Sequence, residues 1–112
     1  MARRLKILLT GSNGFVGGYF LKNLIIDNFE IYKFIRPDVN QLLDLYQEKK
    51  ETSSWQKLPI LKNKFDVIIH AASLPYLECE KDPQNAYLIN NIFTEILSDY
   101  CITNNCYFIF FS

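Results

Sequence analysis

Hydrophobic and polar residues fall in blocks along this chain, and the period changes from block to block. "LKILLT" (5–10) is apolar almost without a break, the pattern of a parallel strand buried on both faces. From Gly14 to Asp27, Phe15, Val16, Tyr19, Phe20, Leu24 and Ile25 recur at helical spacing, which predicts a helix that Asp27-Asn28 breaks. "FEIYKFI" (29–35) alternates and is rich in β-formers, so a second strand is expected there, ended by Pro37. Residues 39–63 carry a weaker pattern: "NQLLDLYQEKK" reads as a short strand followed by a helix, and "ETSSW" offers N-cap residues for another short helix. "FDVIIHAA" (65–72) is again a continuous apolar strand, ending in small residues. "DPQNAYLINNIFTEILSDYCITNN" (82–105) predicts a helix with Pro83 in its first turn. Ala86, Ile89, Asn90, Phe93, Ile96, Leu97 and Tyr100 share one side of it. "CYFIFFS" (106–112) reads as a last strand.

Strands that alternate with helices predict an α/β domain with a doubly wound parallel sheet and right-handed crossovers. The expected order is 3-2-1-4-5 in one domain spanning residues 1–112.

Composition narrows the function classes. Apolar residues make up 49% and aromatic residues 15%, enough for a packed core. Lys plus Arg equals Asp plus Glu, at 12 each, so there is no basic excess to hold a nucleic-acid backbone. Cys79, Cys101 and Cys106 form no CxxC pair and His70 is the only histidine, which argues against a zinc site or a disulfide framework and for plain thiols in a reducing compartment. In "MARRLKILLTGSNG" Lys6 interrupts the apolar run, so no signal peptide is expected. No stretch approaches the roughly 18 apolar residues of a membrane span. The expectation is a soluble cytoplasmic protein.

The densest chemistry lies in "LLTGSNGFVGGYF" (8–20), where Gly11, Gly14 and Gly17 sit at the junction of the first strand and first helix. At such a turn one glycine permits the bend, a second lets a phosphate reach the main chain, and a third lets helix and strand pack closely. The helix N-terminus then offers free N–H groups to a pyrophosphate. A tight turn without a ligand is the plainer alternative.

"TGSNGFVGGYF" resembles the TGxxGxxG nucleotide loop of the short-chain dehydrogenase/reductase superfamily, in its extended, epimerase/dehydratase-like branch. "FDVIIHAAS" is similar to that branch's fourth strand and its turn beside the cofactor. "DPQNAYLINNIFTEIL" is similar to its D-P-x-x-x-x-x-x-N-x-x-x-T helix, with Asn90 and Thr94 on the family's Asn and Thr. "CYFIFFS" resembles its fifth strand, and "ECEKDPQNAY" leans toward the dTDP-4-dehydrorhamnose reductase type. Phe93 departs from the glycine frequent before that threonine. The resemblance implies an NAD(P)-binding Rossmann-like domain and, in the complete protein, a nucleotide-sugar substrate. It leaves a homodimer open for that complete protein.

The implied cofactor-binding residues are Gly11, Asn13, Gly14, Phe15, Val16 and Gly17 at the loop, and Ala71, Ala72 and Ser73 as a close wall. Asn90, Asp44 and Leu45 complete the implied set, the last two resembling the family's Asp-Leu pair at the adenine, with an acid at a helix start as the plainer alternative for Asp44. At the end of the second strand, where a carboxylate would bind the ribose of NAD, stands Ile35, followed by Arg36. Arg36 suits the extra phosphate of NADP, whereas Asp38 could swing back to a ribose, so NADP is favoured and NAD stays open. His70, alone among apolar residues, is expected to be a packed residue and not a proton carrier. Ser112 matches the first serine after the fifth strand and is expected to be a neighbour of the chemistry only.

The family's catalytic Tyr-x-x-x-Lys follows the fifth strand. Among the seven tyrosines only Tyr46 has a lysine four residues on, Lys50, in a charged helix before the fourth strand, where it reads as solvated surface. No catalytic residue is therefore assigned. An apolar last strand with nothing after it would be a bare edge, so the expectation is the front part of a longer protein. Three readings stay open: the cofactor-binding part of a sugar-nucleotide epimerase, dehydratase or reductase, a non-catalytic dinucleotide-binding module of the same fold, and an inactive remnant that does not fold alone.

Overall fold

A computed structural model describes residues 4–23, 28–35, 37–48, 54–72 and 80–111. Strand β1 (Leu5–Thr10) leads through a glycine turn into helix α1 (Phe15–Asn23). Strand β2 (Phe29–Phe34) and helix α2 (Val39–Glu48) follow, then two single 3₁₀ turns at Ser54–Lys57 and Pro59–Lys62. Strand β3 (Val67–His70) precedes a long helical stretch made of α3 (Pro83–Tyr87), a π turn (Leu88–Ile92) and α4 (Phe93–Asn104), and strand β4 (Tyr107–Phe110) comes last.

The four described strands are all parallel, in the order β2-β1-β3-β4. This is the expected order with the third strand missing. The start of "NQLLDLYQEKK" is helix instead. Asp38 caps that helix, its Oδ1 accepting the Asn40 N–H at 2.9 Å and its carbonyl accepting the Leu42 N–H at 3.1 Å. Val39, Leu42, Leu43 and Leu45 then turn toward the core at helical spacing.

Central β1 sets the register. Leu8 lies beside Tyr32 of β2 and Ile68 of β3, and Ile68 lies beside Phe108 of β4. Asp66 ties the starts of β1 and β3: its Oδ2 accepts the Lys6 N–H and its own N–H donates to the Lys6 carbonyl, both at 2.8 Å.

Side chains that alternate along the strands divide between two faces. On one face, Leu8 and Ile68 join Leu42, Phe65, Phe93, Leu97 and Tyr100 in a core built by α2, the 3₁₀ turns and α4. Tyr100 closes its rim, its hydroxyl accepting the Phe65 N–H and donating to the Asn63 carbonyl, each at 2.9 Å. On the other face only Ile7, Leu9 and Ile69 are buried among the described residues, with Phe20 and Leu21 of α1 against them.

The side of the 82–105 helix predicted to face the core does so: Ala86, Ile89, Phe93, Ile96, Leu97 and Tyr100 are buried and Asn90 is half-buried. The stripe that predicts α1 behaves differently. Phe15 and Tyr19 are exposed, and Gly17 is the helix's buried residue. Leu24 and Ile25 lie outside the described residues. Helical spacing located the helix correctly, but α1 is the one described element over this face, and Phe15 and Tyr19 point away from the strands it covers.

Candidate functional site: a cleft at the strand ends

The cleft opens where β1 and β3 end side by side. Gly11, Asn13 and Gly14 of the loop line it, with Ile35 after β2, Ala71 and Ala72 after β3, and Ile89 of the π turn. Ligands of open parallel sheets bind in this crevice, outside the carboxyl ends of the strands.

Each of the three loop glycines has its own reason. Gly11 adopts φ +65°, and a Cβ there would come within 2.7 Å of the Ala71–Ala72 backbone. Gly17 allows α1 to lie on the loop, because a Cβ would sit 2.0 Å from the Gly11 carbonyl oxygen. Gly14 has no positive φ and is the least crowded of the three. It is exposed, and a Cβ would meet only the Gly11 carbonyl oxygen, at a tight 3.3 Å.

The loop is also held by hydrogen bonds. Gly11 N–H donates to the Ile35 carbonyl at 3.0 Å and Gly14 N–H to the Gly11 carbonyl at 2.9 Å. Gly18 N–H donates to the Gly14 carbonyl at 2.8 Å, which begins the helical ladder. The N–H groups of Phe15, Val16 and Gly17 therefore precede the first intrahelical bond, at the positive end of α1.

Beneath the cleft, Thr10 and His70 close the ends of β1 and β3. Thr10 Oγ1 accepts the N–H groups of Ala71, at 3.0 Å, and Ala72, at 3.2 Å, and lies 2.7 Å from His70 Nδ1. His70 Nε2 lies 2.8 Å from Thr94 Oγ1, which donates to the Asn90 carbonyl at 2.8 Å. His70 is fully buried, edge-on to Phe93 and stacked with Phe108 and Phe110. Burial lowers its pKa to about 4, so the ring is neutral near pH 7.

Of the residues predicted for cofactor binding, Gly11, Asn13, Gly14, Ala71 and Ala72 meet in the cleft. Phe15, Val16 and Gly17 continue from its rim into α1, and Asn90 stands in the π turn next to the cleft residue Ile89. Asp44 and Leu45 are placed away from it on α2: Asp44 is exposed and Leu45 is buried in the core beside Ile92 and Ile96. The pair expected at the adenine thus stands outside the cleft lining, on a helix that turns Leu45 inward. Asp38 is engaged as the cap of α2 and lines a separate hollow with Phe34, Pro37, Gln41, Leu58, Pro59, Ile60 and Asn63. Tyr46 is exposed on α2, against Tyr87. Arg36, Lys50, Ser73, Cys79 and Ser112 lie outside the described residues.

Sequence reasoning missed Ile89 as a cleft residue and the joint role of Thr10 and Thr94. The Thr-Gly dipeptide before the loop was a usable signal for Thr10, but its partner lies 60 residues away. Among the described residues no group of His, Cys, Asp and Glu is arranged to hold a metal, and no helix is long and apolar enough to cross a membrane.

Solved structures share this architecture. A dTDP-4-dehydrorhamnose reductase from Bacillus anthracis, in complex with NADP, superposes with a TM-score of 0.70 at 21% identity over 96% of this chain and 36% of that one. Its counterpart from Clostridium acetobutylicum gives 0.67 at 28% identity over 93% and 34%. The ADP-L-glycero-D-manno-heptose-6-epimerase of Helicobacter pylori gives 0.59 at 19% identity over 96% and 38%. The chain thus spans little more than a third of the length of these structures. Curated protein sequences contain no significant match. The sequence model of one family, described as the RmlD substrate binding domain, matches residues 5–112, from the first residue of β1 past the end of β4. With that match running through every strand and through the glycine loop, the chain belongs to the RmlD substrate binding domain family.

Proposed function

We propose that this chain is the dinucleotide-binding part of an NADP(H)- or NAD(H)-dependent sugar-nucleotide reductase of the dTDP-4-dehydrorhamnose reductase kind. Gly14 is the observation that carries the reading. The fold excludes a side chain outright at positions 11 and 17 and makes a milder demand at position 14. A bare backbone at the cleft mouth, beside the unbonded N–H groups that open α1, suits the approach of a pyrophosphate.

The bound cofactor supplies the hydride. The residues of this chain hold it: the α1 N–H groups face the phosphates, and the Ala71–Ala72 turn forms a wall without long side chains. Ile35, exposed at the end of β2, places no carboxylate where the 2′-hydroxyl of NAD would be recognised. That favours NADP. The RmlD family match and the NADP complex of the Bacillus anthracis reductase support the same reading.

No tyrosine–lysine pair stands at the cleft among the described residues, so the 112-residue chain alone is expected to bind cofactor and turn over no sugar nucleotide. Catalysis in the whole protein then requires a Tyr-x-x-x-Lys beyond these residues. Its absence from the whole protein would favour the non-catalytic dinucleotide-binding module.

Calorimetric titration with NADPH and NADH, on the wild type and on Gly14→Val, tests the proposal. NADPH binding that Gly14→Val abolishes while the thermal transition persists is the expected result. Equal affinities in the two proteins would overturn it. Gly11→Ala and Gly17→Ala are unsuitable for this purpose because each clashes with backbone.

A further inference from the structure

The hydrogen-bond chain through His70 permits one arrangement of protons. Thr94 Oγ1 has a single hydrogen, and the Asn90 carbonyl can only accept, so that hydrogen is committed to Asn90. Thr94 must therefore accept from His70 Nε2. At the other side of the ring, Thr10 Oγ1 accepts two backbone N–H groups, from Ala71 and Ala72. Its own hydrogen is left for His70 Nδ1, which must accept. Both ends independently require the neutral ring with its proton on Nε2 and a free lone pair on Nδ1. A proton on Nδ1 would confront an oxygen whose acceptor sites are filled.

This chain of donors runs in one direction across the floor of the cleft. It starts at the residue before Gly11, passes through the end of β3, and ends at a carbonyl of the π turn. The three groups it joins carry three walls of the cleft: the glycine loop, the Ala71–Ala72 turn and the turn bearing Ile89 and Asn90. Thr10 itself joins the first two, its carbonyl accepting the Ala71 N–H at 3.3 Å and its Oγ1 the Ala71 and Ala72 N–H groups. The third wall is tied to them through His70 and Thr94.

We propose that His70, held as the Nε2–H tautomer between Thr10 and Thr94, is a positioning residue that sets the glycine loop, the Ala71–Ala72 turn and the Asn90 turn in register for a dinucleotide. The proposal rests on the dinucleotide reading above. It assigns His70 no proton transfer, since the ring is enclosed by Phe93, Phe108 and Phe110 beneath the cleft.

Two measurements on the 112-residue chain test it. His70 is the only histidine, so ¹⁵N-histidine labelling gives an unambiguous imidazole spectrum without ligand. The expected spectrum is a single Nε2–H tautomer with an unprotonated Nδ1. An Nδ1–H tautomer or an averaged mixture would overturn the proposal. The second measurement is NADPH affinity for Thr94→Val, which keeps shape and loses the hydroxyl, and for Thr94→Ser, which keeps the hydroxyl. Thr94→Val should weaken binding about tenfold and Thr94→Ser less than about threefold, at a temperature where all three proteins are folded. A Thr94→Val protein that melts earlier yet binds NADPH like the wild type would show a merely structural relay and defeat the proposal. A wild type that binds no dinucleotide would instead bring down the reading beneath it, and the positioning role with it.

Discussion

The two faces of the sheet are built from the same four strands and end in different states. On the α2–α4 face, sixteen buried residues form one continuous core among the described residues. On the α1 face there are three. Tyr107 and Ile109 stand in register with Val67 and Ile69 on that second face, yet Tyr107 is 78% and Ile109 43% exposed. Phe111 reaches Phe20 of α1 at 5.1 Å between ring centroids, so α1 covers one end of this face and little of β4. A parallel strand normally has both faces covered. The packed face accounts for most of the apolar burial and so for most of the stability, while the α1 face carries the glycine loop and leaves apolar surface in water.

The sharpest way to break that contrast is a pair of truncations. Phe93→Ala, in the packed face, should cost about 3–5 kcal/mol, and Ile109→Ala below about 1 kcal/mol, read as urea midpoints at unchanged slope. Equal losses would mean that β4 is covered on both faces. The second effect is acid sensitivity of the packed face through His70. Its folded pKa of about 4 lies below the ordinary imidazole value, because burial disfavours the charged ring. Between those two values the unfolded chain binds a proton that the folded chain refuses. Stability is therefore full above about pH 6.5 and falls by about 3 kcal/mol as the pH drops to about 4, with little further loss from this group below that. A His70→Phe variant with the same acid loss would contradict this assignment.

Smaller in free energy is the exposed side. Ile109→Lys should change stability by no more than about 0.5 kcal/mol but reduce self-association, seen as a lower weight-average sedimentation coefficient at tens of micromolar. Wild type and variant sedimenting alike as monomers would show that the bare face is harmless. Least in energy is the junction between α4 and β4. Asn105 takes a left-handed conformation, φ 53°, and both it and Cys106 donate N–H groups to the Cys101 carbonyl. Cys106 Sγ donates to the Tyr107 carbonyl at 3.5 Å; interaction between the two neighbouring thiols holds Cys106 below the usual range and, with burial, pushes Cys101 up. In a Cys79→Ser background, alkylation near pH 7.5 should label Cys106 well before Cys101, as mass spectrometry of timed samples would reveal. The reverse order would contradict both the burial of Cys101 and the opposite shifts of the two thiols.

Much of this organisation is local and could be read from the chain. Continuous apolar runs located β1, β3 and β4, because strands buried in a parallel sheet need no polar alternation. The spacing from Ala86 to Tyr100 located both the long helix and its buried side. The extra residue of the π turn inside it left no mark in the pattern, since Leu88, Ile89, Ile92 and Phe93 still fall inward. The glycine loop was legible because the positive φ of Gly11 and the contact of position 17 with the Gly11 carbonyl are local demands, whereas the Ala71–Ala72 backbone that also excludes a side chain at Gly11 comes from 60 residues on. The segment after Pro37 was not. Its apolar residues satisfy a short strand and a helix alike, and the Asp38 cap decides in favour of helix. That outcome also moves Asp44 and Leu45 away from the cleft.

The sequence by itself determined the α/β class, the parallel sheet and the loop that opens α1, since each depends on side-chain period or on a backbone conformation that few residues tolerate. Tertiary structure alone decided the rest. The chemical state of His70 depends on Thr10, 60 residues before it, and Thr94, 24 residues after it, which meet only when β1, β3 and α4 are packed. Which apolar stripe is buried was likewise a tertiary matter. The residues of α4 and of α1 are comparably apolar in pattern, but α4 lies over the centre of the sheet among other elements, whereas α1 shares its face with none of the other described helices. Hydrophobic spacing specifies a surface able to be buried; burial itself requires a second surface to meet it.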